Sequence, residues 1–270
     1  MSKDLADIAG SPTIHRARPE QAPAIYDLLV KGFGGNYLPY TIYQTPRSVG
    51  YLAQLIAEAH RQSEQQLFVL KWDGRICGYY HAVLRERQLL LNYIAIASDV
   101  KGRGLGGALL RHFEEIGTDT RCHSLTLDVF GTNPFAREWY FRHGYHLAAE
   151  SYHVRLTVDS LMNSGDGAFP LSLDSTAWTR AREAEDRYGF SKVECECGPG
   201  HLTLGLIAGT AWKLLNFDGV TLEAAALAIA KHWRDERPIL IVSGVRALPR
   251  IGTVLSADKT ARLVKQMGSS

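Results

Sequence analysis

The stretch Ile94–Leu110, IAIASDVKGRGLGGALL, decides the fold because an apolar strand runs through a glycine-dense turn into an amphipathic helix. Gly102, Gly104, Gly106 and Gly107 have no Cβ, so the backbone can adopt positive φ angles and turn successive N–H groups towards an anion. The N-terminus of a helix also favours negative charge. The pattern therefore predicts a phosphate-binding turn.

Two kinds of phosphate ligand compete for this turn. The run from Gly102 to Gly107 has the spacing G-x-G-x-x-G of a dinucleotide-binding fold, and Asp128 follows about twenty residues later. In that fold the glycines follow their strand almost at once within a βαβ unit. Here Ser98–Lys101 intervenes, and the upstream sequence is typical of antiparallel hairpins. The context therefore disfavours NAD.

A second block, NPFAREWYFRHGY at residues 133–145, follows the predicted strand Ser124–Phe130. In order and separation, Lys101–Gly106 and this block resemble the acyl-CoA-binding signature of the GNAT N-acetyltransferase superfamily, with Lys101 in place of the usual Arg or Gln. The resemblance covers roughly residues 13 to 157. It implies a mixed α/β acyltransferase fold, acetyl-CoA or another acyl-CoA as co-substrate, and acyl transfer to an amine.

The resemblance also implies where CoA binds. Its pyrophosphate is expected on the amides of Arg103–Gly107, and its pantetheine along the edge of the Tyr93–Ala97 strand. One amide near Ile94–Ile96 is expected to meet the thioester carbonyl, and which one does so stays open. Asn133 contacts the cofactor or caps the next helix, and the basic side chains contact phosphates or simply face water. The cofactor-binding residues implied are Ile94, Ala95, Ile96, Lys101, Gly102, Arg103, Gly104, Leu105, Gly106, Gly107, Asn133, Ala136 and Tyr140.

Acyl transfer to an amine needs a general acid for the departing thiolate and a route for the amine proton. Tyr140 aligns with the frequent general acid of the family, although an aromatic ring packed beneath the CoA chain would leave the same signal. His81 and Glu86 are candidate bases, and Asn92 can hold a relay water. An isolated strand histidine is, however, often a hydrogen-bonded structural residue.

The acceptor is the least determined part of the prediction. The loop from Asn36 to Thr45 carries Tyr37, Tyr40 and Tyr43 where the family builds its acceptor pocket. Tyrosine rings suit a flat or amphipathic amine better than a polyanion, but such rings also cover cores. The expected acceptor is a small-molecule amine or a peptide lysine.

Composition excludes several classes of protein. The 270 residues carry a formal charge of only +2 with both signs interspersed, which disfavours nucleic acid and membrane surfaces as partners. No apolar run reaches the ~20 residues of a membrane helix and the N-terminus is polar, so a cytoplasmic location is expected. The four cysteines show no metal-ligand spacing, so no metal is expected.

The element pattern predicts two domains. Strands at 66–72, 76–84 and 88–97 form an antiparallel meander before helix 105–116, and a GNAT catalytic domain spans residues 1–160. A linker at 161–170 centres on Ser164–Pro170 and precedes a smaller α+β domain at 171–270. That domain repeats the element order of the first, but a single glycine precedes its helix 222–233. It is either a degenerate GNAT-like domain or an unrelated one.

Three functions stay open on this sequence. The first is an N-acetyltransferase, the second a transferase of longer or aminoacyl thioesters, and the third an acyl-CoA-binding module without turnover. The oligomeric state is not determined by any pattern in the chain.

Overall fold

The computed structural model of the protein describes residues 11–61, 64–162, 168–233 and 237–268. The strands are β1 (Thr13–Arg16), β2 (Gln65–Trp72), β3 (Arg75–Arg85), β4 (Gln88–Ile96), β5 (Ser124–Phe130), β6 (His146–Thr157), β7 (Leu171–Ser172), β8 (Phe190–Cys197), β9 (Gly200–Ile207), β10 (Ala211–Asp218), β11 (Ile239–Val245) and β12 (Val254–Gln266). The helices are α1 (Ala22–Tyr37), α2 (Ser48–Ala59), α3 (Leu105–Asp119), α4 (Pro134–Arg142), α5 (Val158–Met162), α6 (Ser175–Tyr188) and α7 (Leu222–His232).

The chain divides into two compact units. The first comprises residues up to 34, residues 53–127 and residues from 266 onwards; the second comprises residues 35–52 and 128–265. The break after residue 34 coincides with a kink in α1, where Gly34 adopts a positive φ of 55°. Glycine tolerates this backbone conformation at little steric cost, which explains why the helix breaks at this position.

In the first unit β1, β2, β3 and β4 are antiparallel neighbours, and β5 then pairs parallel to β4 from Gln88↔Ser124 to Leu91↔Leu127. The β2–β3 hairpin turns at Asp73 and Gly74, both with positive φ, as the Asp-Gly signal predicts. The meander predicted from the sequence is therefore present.

Helix α3 covers this sheet with a continuous apolar stripe. Leu109, Leu110 and Phe113 are fully buried. A Cβ on Gly78 of β3 would come within 2.8 Å of Leu109 Cδ1, so the missing side chain lets the helix approach the strand closely. This packing holds the start of α3 at the end of β4, where the glycine turn lies.

In the second unit the strands are ordered β12-β6-β11-β10-β9-β8-β7. All neighbours are antiparallel except β10 and β11, which pair parallel from Ala211↔Ile239 to Leu214↔Val242. Three tryptophans, Trp178, Trp212 and Trp233, pack with ring centroids 4.6–6.1 Å apart within its core.

The mixed α/β class predicted from the sequence is confirmed, but the structure adds elements that the sequence did not indicate. These are the long strand β12, the short strand β7 and the helix α5. The proposed linker falls largely on residues 163–167, which lie outside the described residues. The domain boundaries stay a prediction.

Candidate active site

The glycine turn ends in a helix N-terminus without a side-chain cap. Gly102 and Gly104 both adopt φ of 79°, and Gly104 is the N-cap of α3. The first backbone bond of α3 joins Ala108 N–H to the Gly104 carbonyl over 3.1 Å, so the preceding amides of the first turn point out of the helix end. A Cβ on Gly102 or Gly104 would meet no atom within 4 Å, so the turn is open. These features fit a diphosphate.

The contributions of the four glycines differ from those expected. Gly106 and Gly107 lie inside the first turn of α3, so they do not supply the positive φ angles that the sequence led us to expect. Their amides belong to the helix N-terminus instead. Leu105 is buried and anchors this turn against the core.

Basic side chains surround the turn. Lys101 and Arg103 are exposed, and the Arg103 guanidinium lies 5.0 Å from the centre of the Trp72 ring. Asp99 accepts a charge-assisted hydrogen bond from Arg75, which lowers the pKa of that carboxyl and neutralises its charge. The uncompensated charge around the turn is therefore positive, as an anion site requires.

The free edge of β4 is defined by the hydrogen-bond pattern. Ala97 N–H donates to the Cys77 carbonyl of β3 over 2.8 Å. Because donors alternate along an antiparallel strand, Ala95 also faces β3, whereas the N–H and C=O groups of Ile94 and Ile96 point away from it. The recorded pairing of β4 with β5 ends at Leu91. Of the three candidate oxyanion donors, Ala95 is therefore excluded, and Ile94 and Ile96 are left.

The candidate base His81 has both ring nitrogens engaged. Nε2 lies 2.7 Å from Gln65 Oε1, and Nδ1 lies 3.3 Å from Asn92 Nδ2. The carboxamide oxygen of Gln65 can only accept, so Nε2 carries the proton and Nδ1 accepts from Asn92. The ring is 4% exposed and lies 6.2 Å from that of Tyr93. This arrangement matches the structural reading of His81 better than the catalytic one.

Asn92 and Glu86 lie at different points of the same hairpin. Asn92 is the extra residue of a β-bulge in β4, exposed and directly after the last residue paired with β5. Glu86 occupies the β3–β4 turn with φ of 52° and is exposed. That turn precedes β4, whereas the glycine turn follows it, so Glu86 lies at the opposite end of the strand. This placement gives no support to Glu86 as the base.

Helix α4 carries the second motif and belongs to the second unit. Asn133 caps it by accepting a hydrogen bond from Ala136 N–H over 3.1 Å, so the capping role predicted for Asn133 is present. Tyr140 is 5% exposed, and burial raises the pKa of its phenol well above the usual value. Its ring contacts those of Trp139 and Tyr145. A phenol held in its neutral form keeps the proton that a general acid must donate.

The three tyrosines that the sequence placed on a loop have different surroundings, since Tyr37 ends helix α1 and Tyr40 ends a short 3-10 helix that follows it. Tyr37 is half-buried and stacks on Phe130 with ring centroids 4.5 Å apart. Tyr40 is buried, with its ring 6.1 Å from that of His153 and its carbonyl accepting from Lys213 Nζ over 2.6 Å. Tyr43 is fully buried. Tyr37 is therefore partly accessible to solvent, while Tyr43 forms part of the core.

Three polar residues near these tyrosines were missed by sequence reasoning. Burial lowers the pKa of Lys213 to about 8, and burial together with the Lys213 charge lowers the pKa of His153 to about 4. Asp258 is 8% exposed, and its Oδ1 has no hydrogen-bond partner among the described residues. No local motif marks these residues, because each becomes informative only beside distant parts of the chain.

The described ranges contain no metal site, no disulfide and no membrane-spanning helix. No group of three or more His, Cys, Asp or Glu side chains is arranged to hold a metal ion there. The four cysteines are unpaired and buried. None of the described helices is long and apolar enough to cross a membrane.

Comparison with known proteins assigns a family to the segment that carries both motifs. The model of the acetyltransferase (GNAT) family matches residues 22–145. A 5-NmdU N-acetyltransferase of Pseudomonas phage PaMx11 is 37% identical over 87 residues, which cover 32% of this chain and 60% of that protein. The chain thus spans less than two thirds of this relative's length.

Solved structures extend the likeness in fold to nearly the whole chain. The GCN5-related N-acetyltransferase of Sphaerobacter thermophilus superimposes with a TM-score of 0.62 at 12% identity and covers 97% of both chains. A structure from Pyrococcus horikoshii gives a TM-score of 0.63 at 11% identity, covering 99% of this chain and 93% of its own. Residues 22–145 therefore carry a domain of the GNAT acetyltransferase family, and nearly the whole chain shares its fold with these two structures.

Proposed function

We propose that the protein is an acyl-CoA-dependent N-acyltransferase that moves an acetyl group from acetyl-CoA to a primary amine by direct transfer. The observation that carries this proposal is the uncapped N-terminus of α3, opened by Gly102 and Gly104 at φ of 79°. Amides, the helix dipole and the nearby positive charge all favour a diphosphate at this end. The residues present therefore fit CoA, which supplies the thioester when bound.

The free edge of β4 gives this proposal its reaction geometry. The carbonyl and N–H groups of Ile94 and Ile96 can pair with the amide-bearing pantetheine chain as a further strand would. One of the two N–H groups then donates to the thioester oxygen, where negative charge develops during amine attack. We propose Ile94 and Ile96, rather than Ala95, for this role.

Tyr140 is the proposed general acid. The departing thiolate, whose conjugate thiol has a pKa of about 8.5, must accept a proton near neutral pH. A neutral phenol can donate this proton. The raised pKa keeps Tyr140 protonated over the whole physiological range, and it also makes the phenol a weaker acid than a solvent-exposed tyrosine. Loss of the proton from the amine is assigned to water held near Asn92, because both His81 nitrogens are engaged.

The relative from phage PaMx11 supports N-acetyl transfer as the reaction class, since its name states that activity. We propose a small-molecule amine or a peptide lysine as the acceptor here. The second candidate function is an acyl-CoA-binding module without turnover. It is favoured by one observation, namely that both ring nitrogens of His81 are engaged while Glu86 lies at the opposite end of β4 from the glycine turn.

The test begins with binding. Thermal unfolding is followed with saturating acetyl-CoA, longer acyl-CoAs, free CoA and NAD(H), because a ligand bound only by the native state raises the midpoint. A shift with acetyl-CoA is expected, followed by amine-dependent release of the CoA thiol. A shift with NAD(H) alone would overturn the proposal. Acetyl-CoA binding without thiol release across a broad amine panel would favour the binding module.

A further inference from the structure

A cluster of aromatic rings and one carboxylate lies in the second unit. Tyr37 stacks on Phe130, and the Phe130 ring lies 5.2 Å from that of His153. The Thr132 hydroxyl lies 3.1 Å from that of Tyr37 and donates to Asp258 Oδ2 over 2.6 Å. We call Tyr37, Phe130, Thr132, His153 and Asp258 the aromatic–carboxylate cluster.

Asp258 is the unusual member of this cluster. One carboxylate oxygen is satisfied by Thr132, but Oδ1 is buried and has no partner among the described residues. A buried acceptor without a donor costs about 1–3 kcal/mol, and more when it is charged. Either an ordered water or a donor group of a ligand would satisfy this atom.

His153 offers a second acceptor, Nε2, in the tautomer whose Nδ1 donates its proton to the Thr260 hydroxyl. Its Nδ1 is 2.7 Å from Thr260 Oγ1, and no hydrogen bond to Nε2 is recorded in the described part of the chain. The lowered pKa keeps the ring neutral above about pH 4, so it adds no positive charge that would repel a cation. His153 and Asp258 are paired directly across β6 and β12, which places both side chains on one face of the sheet.

Among the carboxylates near the cluster, Asp258 has no ion pair within the described part of the chain. Asp128 forms a two-pronged ion pair with Arg262 and is thereby neutralised. Lys213 donates to the Tyr40 carbonyl, and its lowered pKa reduces its charge above about pH 8. Thr132 is exposed and Tyr37 is half-buried, so the cluster opens towards solvent at these residues.

We infer that the aromatic–carboxylate cluster binds the cationic head group and adjoining apolar body of a primary amine. The amine donates a hydrogen bond to Asp258 Oδ1, and the rings of Tyr37 and Phe130 pack on its carbon skeleton. Carboxylates and aromatic faces both attract ammonium groups. The inference depends on the proposed function only in taking this amine as the acyl acceptor.

The first experiment uses small probes on the full chain. Benzylamine, benzyl alcohol and phenylacetate are compared by their effect on the thermal midpoint, with acetyl-CoA binding measured separately. Benzylamine alone is expected to raise the midpoint. Equal shifts with the alcohol would overturn the inference in favour of a merely apolar pocket, and a shift with phenylacetate alone would overturn it in favour of an anion site at Lys213. The absence of any shift would also overturn it.

Variants locate the site. Asp258→Asn keeps the shape and the hydrogen bond to Thr132, and we expect it to abolish the benzylamine shift and raise the KM for an accepted amine at least tenfold. The KM for acetyl-CoA should not change. Glu150→Gln, which breaks the exposed ion pair with Lys259 on the same two strands, is the matched control. An unchanged amine KM in folded Asp258→Asn contradicts the inference.

The two proposals fail in different ways. If benzylamine binds in an Asp258-dependent manner but acetyl-CoA does not bind, the proposed function is wrong, while the inference that the cluster binds an amine is upheld. If acetyl-CoA binds and amines are acetylated without dependence on Asp258, the cluster fails and the function stands. Should Asp258→Asn not fold, the discrimination between amine and alcohol by the unaltered protein decides the question.

Discussion

At the scale of single residues, burial changes the chemistry of several side chains. The Tyr140 phenol is held neutral, the Lys213 ammonium is disfavoured, and His153 stays uncharged over most of the accessible pH range. In each case the largest cause is desolvation, which penalises the charged form. Two predictions follow from these shifts.

Tyr140→Phe removes the proposed acid without changing the ring. We expect kcat to fall at least ~10-fold with the KM for acetyl-CoA unchanged, since general acid catalysis contributes 10²–10⁴-fold. Because the raised pKa keeps Tyr140 protonated, it should cause no decline in wild-type activity between pH 8 and pH 10. Steady-state kinetics over this range measure both effects. If Tyr140→Phe kept the kcat of the wild type, the proton would have to come from another group. Tyr152→Phe on β6 is the control.

Lys213→Met replaces the buried amine by an apolar chain of similar length. In the folded protein the pKa of Lys213 is about 8, below the unfolded value of about 10.5, so the unfolded state binds more protons between these limits. The free-energy cost of burying the charged amine is fully present below about pH 8 and is relieved as the pH rises to about 10.5. Wild-type stability should therefore increase relative to the variant across this window. Denaturant unfolding of both proteins at pH 7, 8.5 and 10 measures the difference; a constant difference would contradict the prediction.

At the scale of elements, the second unit repeats a local arrangement of the first. The pair β4–β5 is parallel over four residues of β4, and the next residue, Asn92, is bulged out. The pair β10–β11 is likewise parallel up to Leu214, and the next residue, Leu215, is bulged out. The sequence left open whether the C-terminal domain is a degenerate GNAT-like domain or an unrelated one, and from this repetition we propose the first.

The connections to the following helices differ, which explains why only one of them fits CoA. Ala97–Gly104 joins β4 to α3, whereas Gly219–Thr221 joins β10 to α7. Thr221 then caps α7 by accepting a hydrogen bond from Ala224 N–H over 3.2 Å. The shorter connection has a single glycine, Gly219, and its helix end is closed by the chain itself.

Gly104→Ala tests the helix end of α3. An L-residue at φ of 79° is strained by about 1 kcal/mol, and the added Cβ lies where the turn is open for a ligand. We expect the Kd for acetyl-CoA to rise at least tenfold in calorimetric titration. Gly209→Ala, with a similar φ of 73° in the β9–β10 turn, carries a comparable strain and should leave the Kd unchanged. Equal effects in both variants would mean that strain alone weakens binding.

At the scale of the whole molecule, the C-terminal part of the chain is needed to cover β6. This strand lies between β11 and β12, and its residues Val154 and Leu156 are fully buried. Residues 164–270 supply both neighbours. A chain that ended earlier would expose two strand edges and an apolar face, which are aggregation hazards.

Deletion of residues 164–270 should therefore give a protein that aggregates or unfolds without cooperativity. Light scattering and circular dichroism during heating measure these outcomes. A chain ended after Gly268 keeps the bond from Met267 N–H to the His123 carbonyl and serves as the control, which we expect to behave as the full chain does. A soluble, fully active deletion variant would contradict this prediction.

The sequence by itself determined the meander, the glycine turn and the α3 and α4 motifs, because each depends on signals within a few residues. The Asp-Gly hairpin and the strand–glycine–helix succession are of this kind. It did not indicate β12, whose apolar alternation is interrupted by a bulge at Leu255, between the paired residues Val254 and Ser256. A bulge changes which residues face the core, so the period of two is lost.

Only the tertiary structure decided the roles of the residues around the acceptor loop. It buried Tyr43, engaged both nitrogens of His81, and brought Asp258 to Thr132 across 126 residues and Lys213 to Tyr40 across 173. Such pairs leave no local pattern, because a buried carboxylate or amine is recognised by its neighbours and not by its sequence context. The family and its cofactor turn are thus properties of short segments, whereas the acceptor chemistry is a property of the fold.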